Sequence, residues 1–160
     1  MSVNTVREYL AAFGMADAVM EFDVSSATVE LAAEAVGTDA ARIAKTLSFQ
    51  SQDGNGCFLV VMAGDAKADN RKFKDHFGFK ARMLAHEDAL AYTGHAVGGV
   101  CPFALPANVP VYLDASMRRF DTIYPAAGSA SSAVPMTCED LERCSRAAGW
   151  VDVCKGWQEK

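Results

Sequence analysis

The sequence has no G-x-S-x-G elbow, no G-x-x-x-x-G-K-S/T loop and no H-E-x-x-H pair. Three common routes to an activated serine, a phosphate cradle or a catalytic zinc are therefore missing. Histidine is scarce: His76, His86 and His95 are well separated and form no ligand pair. The five cysteines, Cys57, Cys101, Cys138, Cys144 and Cys154, include no C-x-x-C spacing. Their odd number points to free thiols rather than a disulfide framework, and neither a metal nor another cofactor is expected. No apolar run approaches the ~20 residues that span a bilayer, so no membrane partner is expected. Met1–Glu8 lacks a basic stretch leading into an apolar one, which makes a secretory signal unexpected and the cytoplasm the expected location. Basic charge is also short. Lys and Arg total 15 against 20 Asp and Glu, for a net charge of −5 and a pI near 5.1. That balance argues against DNA as a partner and against broad electrostatic binding of nucleic acid. The local concentration Lys67, Arg71-Lys72-Phe73-Lys74 and Lys80 reads first as a solvated helix face.

What is present is an ordinary globular composition, 51% hydrophobic and 22% charged over 160 residues. That length suits one domain, expected to occupy residues 1–160. Val3, Val6, Leu10 and Phe13 recur at helical spacing before Gly14, and a short strand is expected near Val19–Val24. Ser26 or Thr28 can cap a second helix that stops at Gly37, and Thr38–Ile43 reads as a brief third. Leu47–Gln50 alternates as a half-buried strand. Asp53-Gly54-Asn55-Gly56 marks a hairpin, and Cys57–Met62 is apolar throughout, as for a strand covered on both faces. Asn70 can cap a helix to Gly78, a short strand is expected at Lys80–Leu84, and His86–Tyr92 reads as a helix. Val109–Asp114, Thr122–Tyr124 and Ala133–Met136 read as strands. Thr137 with Glu139 and Asp140 opens a last helix, expected to run to Gly149. Helices interspersed with short strands and one clear hairpin predict a mixed α+β domain rather than a doubly wound parallel sheet.

The richest stretch for chemistry is Thr93–Phe103, where Gly94, Gly98, Gly99 and Pro102 surround a short apolar segment. Such a loop can aim backbone N–H groups at a carbonyl or an anion. His95 lies within it, either contacting a ligand or serving the structure. Cys101 could be a nucleophile, with His95 as the nearest base, or a residue lining a pocket. Lys45 stands among Ile43, Ala44, Leu47 and Phe49. A lysine opening a partly buried strand is costly unless its ammonium reaches water or an anion, so a phosphate or an ester carbonyl would suit it.

Ala44-Lys45-Thr46-Leu47, Gly98-Gly99-Val100-Cys101-Pro102-Phe103, Leu113-Asp114 and Phe120-Asp121-Thr122-Ile123-Tyr124 together resemble the YbaK/EbsC family. That family includes the prolyl-tRNA synthetase-associated editing domains. The resemblance runs from about Ser25 to Leu141 and implies a single α+β domain around a mixed, strongly curved sheet flanked by helices. It implies metal-independent hydrolysis of mischarged aminoacyl-tRNA in trans, a tRNA-Pro carrying a small wrong amino acid being the expected substrate and prolyl-tRNA synthetase a further partner. On this resemblance Lys45 meets the acceptor end of the tRNA. Gly98, Gly99, Val100 and Cys101 belong to the G-x-x-x-P loop that positions the ester carbonyl, and Thr46, His95, Pro102 and Phe103 border the substrate. An activated ester needs an oriented carbonyl and oxyanion stabilisation more than a strong protein nucleophile, which accords with the missing triad. Cys101 stands where many members carry serine, and Ser131-Ser132-Ala133-Val134 lacks the acidic residue typical of cysteine-deacylating members. Alanyl or another small acyl group is therefore left open alongside cysteinyl. The alternative to an enzyme is a binding module that holds a tRNA end, a nucleotide or an amino-acid derivative without turnover.

Overall fold

The computed structural model describes residues 3–23, 28–95, 100–129 and 131–157. Its centre is the apolar segment after the hairpin. Strand β2 (Ile43–Gln50) pairs antiparallel with β3 (Cys57–Ala63) from Ala44 opposite Ala63 to Gln50 opposite Cys57. The turn between them uses Gly54 at φ 77°, with the Asp53 carboxylate accepting from Asn55 N–H at 2.9 Å. Every residue of β3 is buried, as its unbroken apolar sequence requires of a strand covered on both faces. Parallel pairing extends the sheet on both sides. β5 (Val111–Asp114) lies along β3, β8 (Gly149–Val151) along β5, and β6 (Tyr124–Pro125) along β2. The five strands run in the order β6-β2-β3-β5-β8, a mixed sheet. Two-residue ladders close the periphery, β1 (Met20–Glu21) on β7 (Ser132–Ala133) and β4 (Lys67–Ala68) on β9 (Cys154–Lys155).

Five α-helices flank this sheet among the described residues. Helix α1 (Val3–Ala11) buries Val3, Val6 and Leu10. Helix α2 (Val29–Val36) is capped by the Thr28 hydroxyl, which accepts from Leu31 N–H at 3.1 Å, and ends at Gly37. Helix α3 (Asn70–Phe77) is capped by Asp69 rather than by the expected Asn70. The Asp69 carboxylate accepts from Arg71 and Lys72 N–H, both at 3.0 Å, and these bonds lead in holding its pKa below the ordinary value. The basic run of α3 is a helix surface around one core residue: Phe73 is fully buried, while Lys72 Nζ reaches Asp152 at 3.2 Å and the Cys154 carbonyl at 3.0 Å. The expected strand at 80–84 is reduced to a single bridge between Met83 and Phe49. Helix α4 (His86–Thr93) leads to Gly94.

Helix α5 (Cys138–Ser145) starts on the reciprocal bonds of a capping box, with Asp140 N–H donating to the Thr137 hydroxyl at 3.0 Å and Thr137 N–H to the Asp140 carboxylate at 3.3 Å. It stops short of Gly149. Arg146 adopts the left-handed conformation at φ 53° and turns the chain, so that Gly149 opens β8 instead of ending the helix. Beneath the sheet end, buried Asp114 accepts from Ser116 N–H and Val153 N–H, each at 2.9 Å. Glycine is required at Gly64, where an added Cβ would lie 1.9 Å from the Ala40 carbonyl oxygen, so the exit of β3 can pass directly under the turn that feeds β2.

Candidate active site

The two halves of β2 have different fates. Phe49 sinks into an aromatic cluster with Phe73 at 4.9 Å and Phe58 at 5.7 Å between ring centroids. Residues 45–48 stay half-buried and face a cavity of about 340 Å³. The first turns of α2 supply Thr28, Val29 and Ala32 to its wall. Met83, Leu84 and Ala89 close a second side, and Tyr124, Ala126 and Ser132 a third. Lys45 is the lone ionised side chain in this wall among the described residues. Burial lowers its pKa, helped by the nearby Lys67, while Asp65 and Glu30 act the other way. Cys154 contributes no opposing charge near neutrality, because burial pushes its thiol far above the ordinary range. A desolvated ammonium in a largely apolar wall is poised to gain from a bound anion or a polarised carbonyl. Thr46 lines the same cavity, and its buried hydroxyl oxygen has no hydrogen-bond partner among the described residues. Ser132, by contrast, is saturated: it accepts from Ala127 N–H at 3.2 Å and Ser129 N–H at 3.3 Å and donates to the Ser129 carbonyl.

The residues singled out in the Gly/Pro segment divide between several environments. Gly98 and Gly99 lie outside the described residues. Val100 joins Lys45 and Thr46 on the cavity wall. Cys101 does not: its side chain is fully enclosed in the core. Burial pushes its thiol up to about 12, against smaller opposing effects of backbone contacts at Phe103 and Gly128. Pro102 faces a different, smaller cavity, and Phe103 is fully buried with its ring 6.4 Å from that of Tyr9.

His95 is fully buried beside Cys101, with Nε2 3.6 Å from the sulfur and 2.7 Å from the Phe103 carbonyl oxygen. A carbonyl only accepts, so Nε2 carries the proton and cannot take one from Cys101. The free lone pair is on Nδ1, which has no partner among the described residues. Burial also lowers the pKa of His95, against the Phe103 bond. A neutral thiol beside the protonated nitrogen of a neutral imidazole lacks the base that thiol catalysis needs. Cys101 and His95 thus form a packed pair behind the segment, not part of the cavity wall.

The walls from α2 and from residues 83–89 have no distinguishing motif in the sequence, whereas Tyr124, Ser132 and Ala133 of the third wall belong to stretches that the family resemblance had already marked. Thr28 is legible as a cap, but its place at a cavity depends on α2 packing Ala32 and Ala33 against Ile43 of β2, while parallel pairing of β6 with β2 brings Tyr124 to another side. No group of three or more His, Cys, Asp or Glu able to hold a metal ion occurs among the described residues, and no helix there is long and apolar enough to cross a membrane.

Fold and cavity together define a mixed α+β domain whose sheet presents one desolvated lysine to a ligand-sized hollow. The chain belongs to the aminoacyl-tRNA editing domain family, which matches residues 23–144. Its relatives agree with the resemblance to YbaK/EbsC. The "Uncharacterized protein YwhH" of Bacillus subtilis is 49% identical over 158 residues, 99% of this chain and 100% of that protein. The "Putative Cys-tRNA(Pro)/Cys-tRNA(Cys) deacylase EbsC" of Enterococcus faecalis is 28% identical over 115 residues, 71% of this chain and 70% of that protein. Among solved structures, a putative trans-editing enzyme for prolyl tRNA synthetase superposes with a TM-score of 0.85 at 27% identity, covering 96% of this chain and 97% of the other. The hypothetical protein APE2540 does so with a TM-score of 0.82 at 26% identity, covering 94% and 99%.

Proposed function

We propose that this protein is a trans-acting aminoacyl-tRNA deacylase that removes a small, wrongly attached amino acid, with tRNA-Pro as the carrier. The observation that carries this reading is the place of Lys45, half-buried on the wall of the 340 Å³ cavity beside Val100 and Thr46. In the reaction the ester carbonyl enters the cavity at the Lys45 end, and the Lys45 ammonium together with backbone N–H groups of the Gly98–Pro102 segment stabilises the oxyanion. A water oxygen bonds to the carbonyl carbon, the tetrahedral adduct collapses with cleavage of the ester C–O bond, and the terminal ribose oxygen leaves and takes up the proton that the water gives up. The free amino acid and the tRNA are the products. Orientation of an activated ester supplies much of the acceleration, so a protein nucleophile is not needed.

The cavity also supports a small uncharged acyl side chain. Its described wall is dominated by Val29, Ala32, Ile43, Leu84, Ala89 and Ala133, with no carboxylate to receive a cationic side chain. Packing of this kind separates side chains that differ by one methylene by only ~1–3 kcal/mol, so several small acyl groups should be hydrolysed at graded rates. Cys101 takes the role of filler behind the segment, shaping the cavity without touching the ester. Such a reaction would take place in the cytoplasm, with prolyl-tRNA synthetase the partner whose errors it would correct.

A panel of tRNAs bearing alanyl, cysteinyl, seryl and threonyl esters, on tRNA-Pro and on each cognate tRNA, tests the reading. At least one member should be turned over, and Lys45→Ala should lower its rate by about 10²–10³-fold, the cost of losing one oxyanion-stabilising group. No turnover of any member at micromolar enzyme overturns it, and saturable binding without turnover would make the domain a binding module instead.

A further inference from the structure

A second, smaller cavity of about 160 Å³ is lined by Pro102 and shares no wall residue with the Lys45 cavity. Pro102, Leu105 and Pro110 form a stiff apolar wall, and Tyr9, Ser145 and Arg146 form the polar side. Its polar groups are incompletely used. Ser145 is only 5% exposed, yet its hydroxyl has no hydrogen-bond partner among the described residues. Arg146 has no carboxylate within ion-pair distance there; its guanidinium lies against the Tyr9 and Phe13 rings, 5.5 and 6.0 Å from their centroids.

The backbone around this hollow is held in an unusual form. Arg146 at φ 53° and Ala104 at φ 57° are the two non-glycine residues with positive φ among the described residues. One lines the cavity, and the other lies between two of its wall residues, Pro102 and Leu105. Such conformations persist where the surroundings impose them.

The electrostatics select the sign of a ligand. The end of α5 would ordinarily present unpaired carbonyls and repel an anion. Three of the last four carbonyls are occupied, all but that of Ser145: Tyr9 Oη donates to the Cys144 carbonyl, Arg146 N–H to that of Arg143, and Ala147 N–H to that of Glu142. The remaining charge is the Arg146 cation, beside one hydroxyl free to donate. We infer that this cavity is a binding site for a short-chain aliphatic monocarboxylate, its carboxylate on the Arg146 guanidinium and the Ser145 hydroxyl and its alkyl group against Pro102, Leu105 and Pro110. A guanidinium matches a carboxylate in a forked pair, and the serine then gains the acceptor it lacks. An apolar hollow of about 150 Å³ holds a benzene-sized molecule, so the volume suits about six heavy atoms. The site needs neither Lys45 nor a tRNA.

The test is a titration of the whole protein with sodium butyrate near pH 7, followed by two-dimensional amide NMR against sodium chloride at matched ionic strength. Saturable shifts centred on Tyr9, Val109 and Arg146 are expected, absent with butanol and with butylamine. Arg146→Asn removes the cation while keeping a residue that tolerates positive φ, and should weaken binding at least about tenfold; Arg146→Lys should restore part of it. Ser145→Ala should weaken it by about threefold, and Lys45→Ala should leave it unchanged. Shifts no larger than those from chloride, equal binding of butanol, undiminished binding by Arg146→Asn, or shifts centred on the Lys45 cavity would each overturn the assignment. The deacylase panel is read separately, so either conclusion can fail alone.

Discussion

Val100 and Cys101 are neighbours in the chain and opposites in their surroundings. Val100 shares a wall with Lys45, in a hollow where one cation is desolvated and one threonine hydroxyl is unpartnered. One residue on, Cys101 and His95 sit in dry core, both neutral. The contrast teaches that a nucleophile-like pair in sequence can be scaffolding, while an isolated lysine can line a ligand-sized hollow. Depressed pKa has a different meaning in the two places. In Lys45 it accompanies access to a ligand-sized space; in His95 it reports burial alone.

The sharpest way to break this comparison is to remove a group from each side and measure folding and activity together. Phe103→Ala empties a fully buried aromatic site and should cost about 3–5 kcal/mol in chemical denaturation, enough to unfold much of the protein. Lys45→Ala, with its large loss of deacylation, should leave the thermal midpoint within about 2–4 °C of the parent, since a half-exposed lysine contributes under about 1 kcal/mol. A collapse of folding in Lys45→Ala would erase the distinction.

Cys101→Ala is the intermediate case. It should cost about 1 kcal/mol of stability, typical of a modest core truncation, and retain deacylation within a few-fold. Abolished activity in a folded Cys101→Ala protein would return the thiol to the reaction. The smallest effect is a pH dependence. Burial lowers the His95 pKa below its ordinary 6.5, so the unfolded chain takes up the proton first. The contribution of His95 to stability is therefore complete above about 6.5 and is lost as pH falls below it. Thermal midpoints across that window should fall less steeply in His95→Gln, which keeps an N–H for the Phe103 carbonyl. An identical slope would mean that other groups carry it.

Much of the local architecture was legible in the residues. Thr28 as a cap, the Thr137–Asp140 capping box, the Gly54 turn and the buried run Cys57–Met62 all behave as their chemistry dictates. The departures from local expectation are also local, and each has a reason. Asp69 outcompetes Asn70 because its carboxylate lies one position earlier, in reach of two N–H groups. Helix α5 ends at Arg146 and not at Gly149 because tertiary contacts hold an arginine in a conformation that glycine would adopt more easily. The strand β8 was hidden for the same reason. The two-residue ladders β1–β7 and β4–β9 are too short to leave a periodic signal. In the site, Lys45 was legible from its apolar neighbours, whereas the separation of Val100, Cys101 and Pro102 into three environments was not.

The sequence by itself determined the events that depend on a few adjacent residues: caps, the hairpin, the all-apolar central strand and a lysine in an apolar setting. Those preferences are set by hydrogen bonds and sterics within a few positions of one another. Only the tertiary structure decided which walls surround Lys45 and which side chains the core encloses. Ile43 meets Tyr124, Leu59 meets Val111 and Asp114 meets Val153 across long stretches of chain. Parallel pairing leaves no mark on local periodicity, and burial is a property of everything packed around a residue, so the chemistry of Cys101 and Lys45 was settled by distant segments.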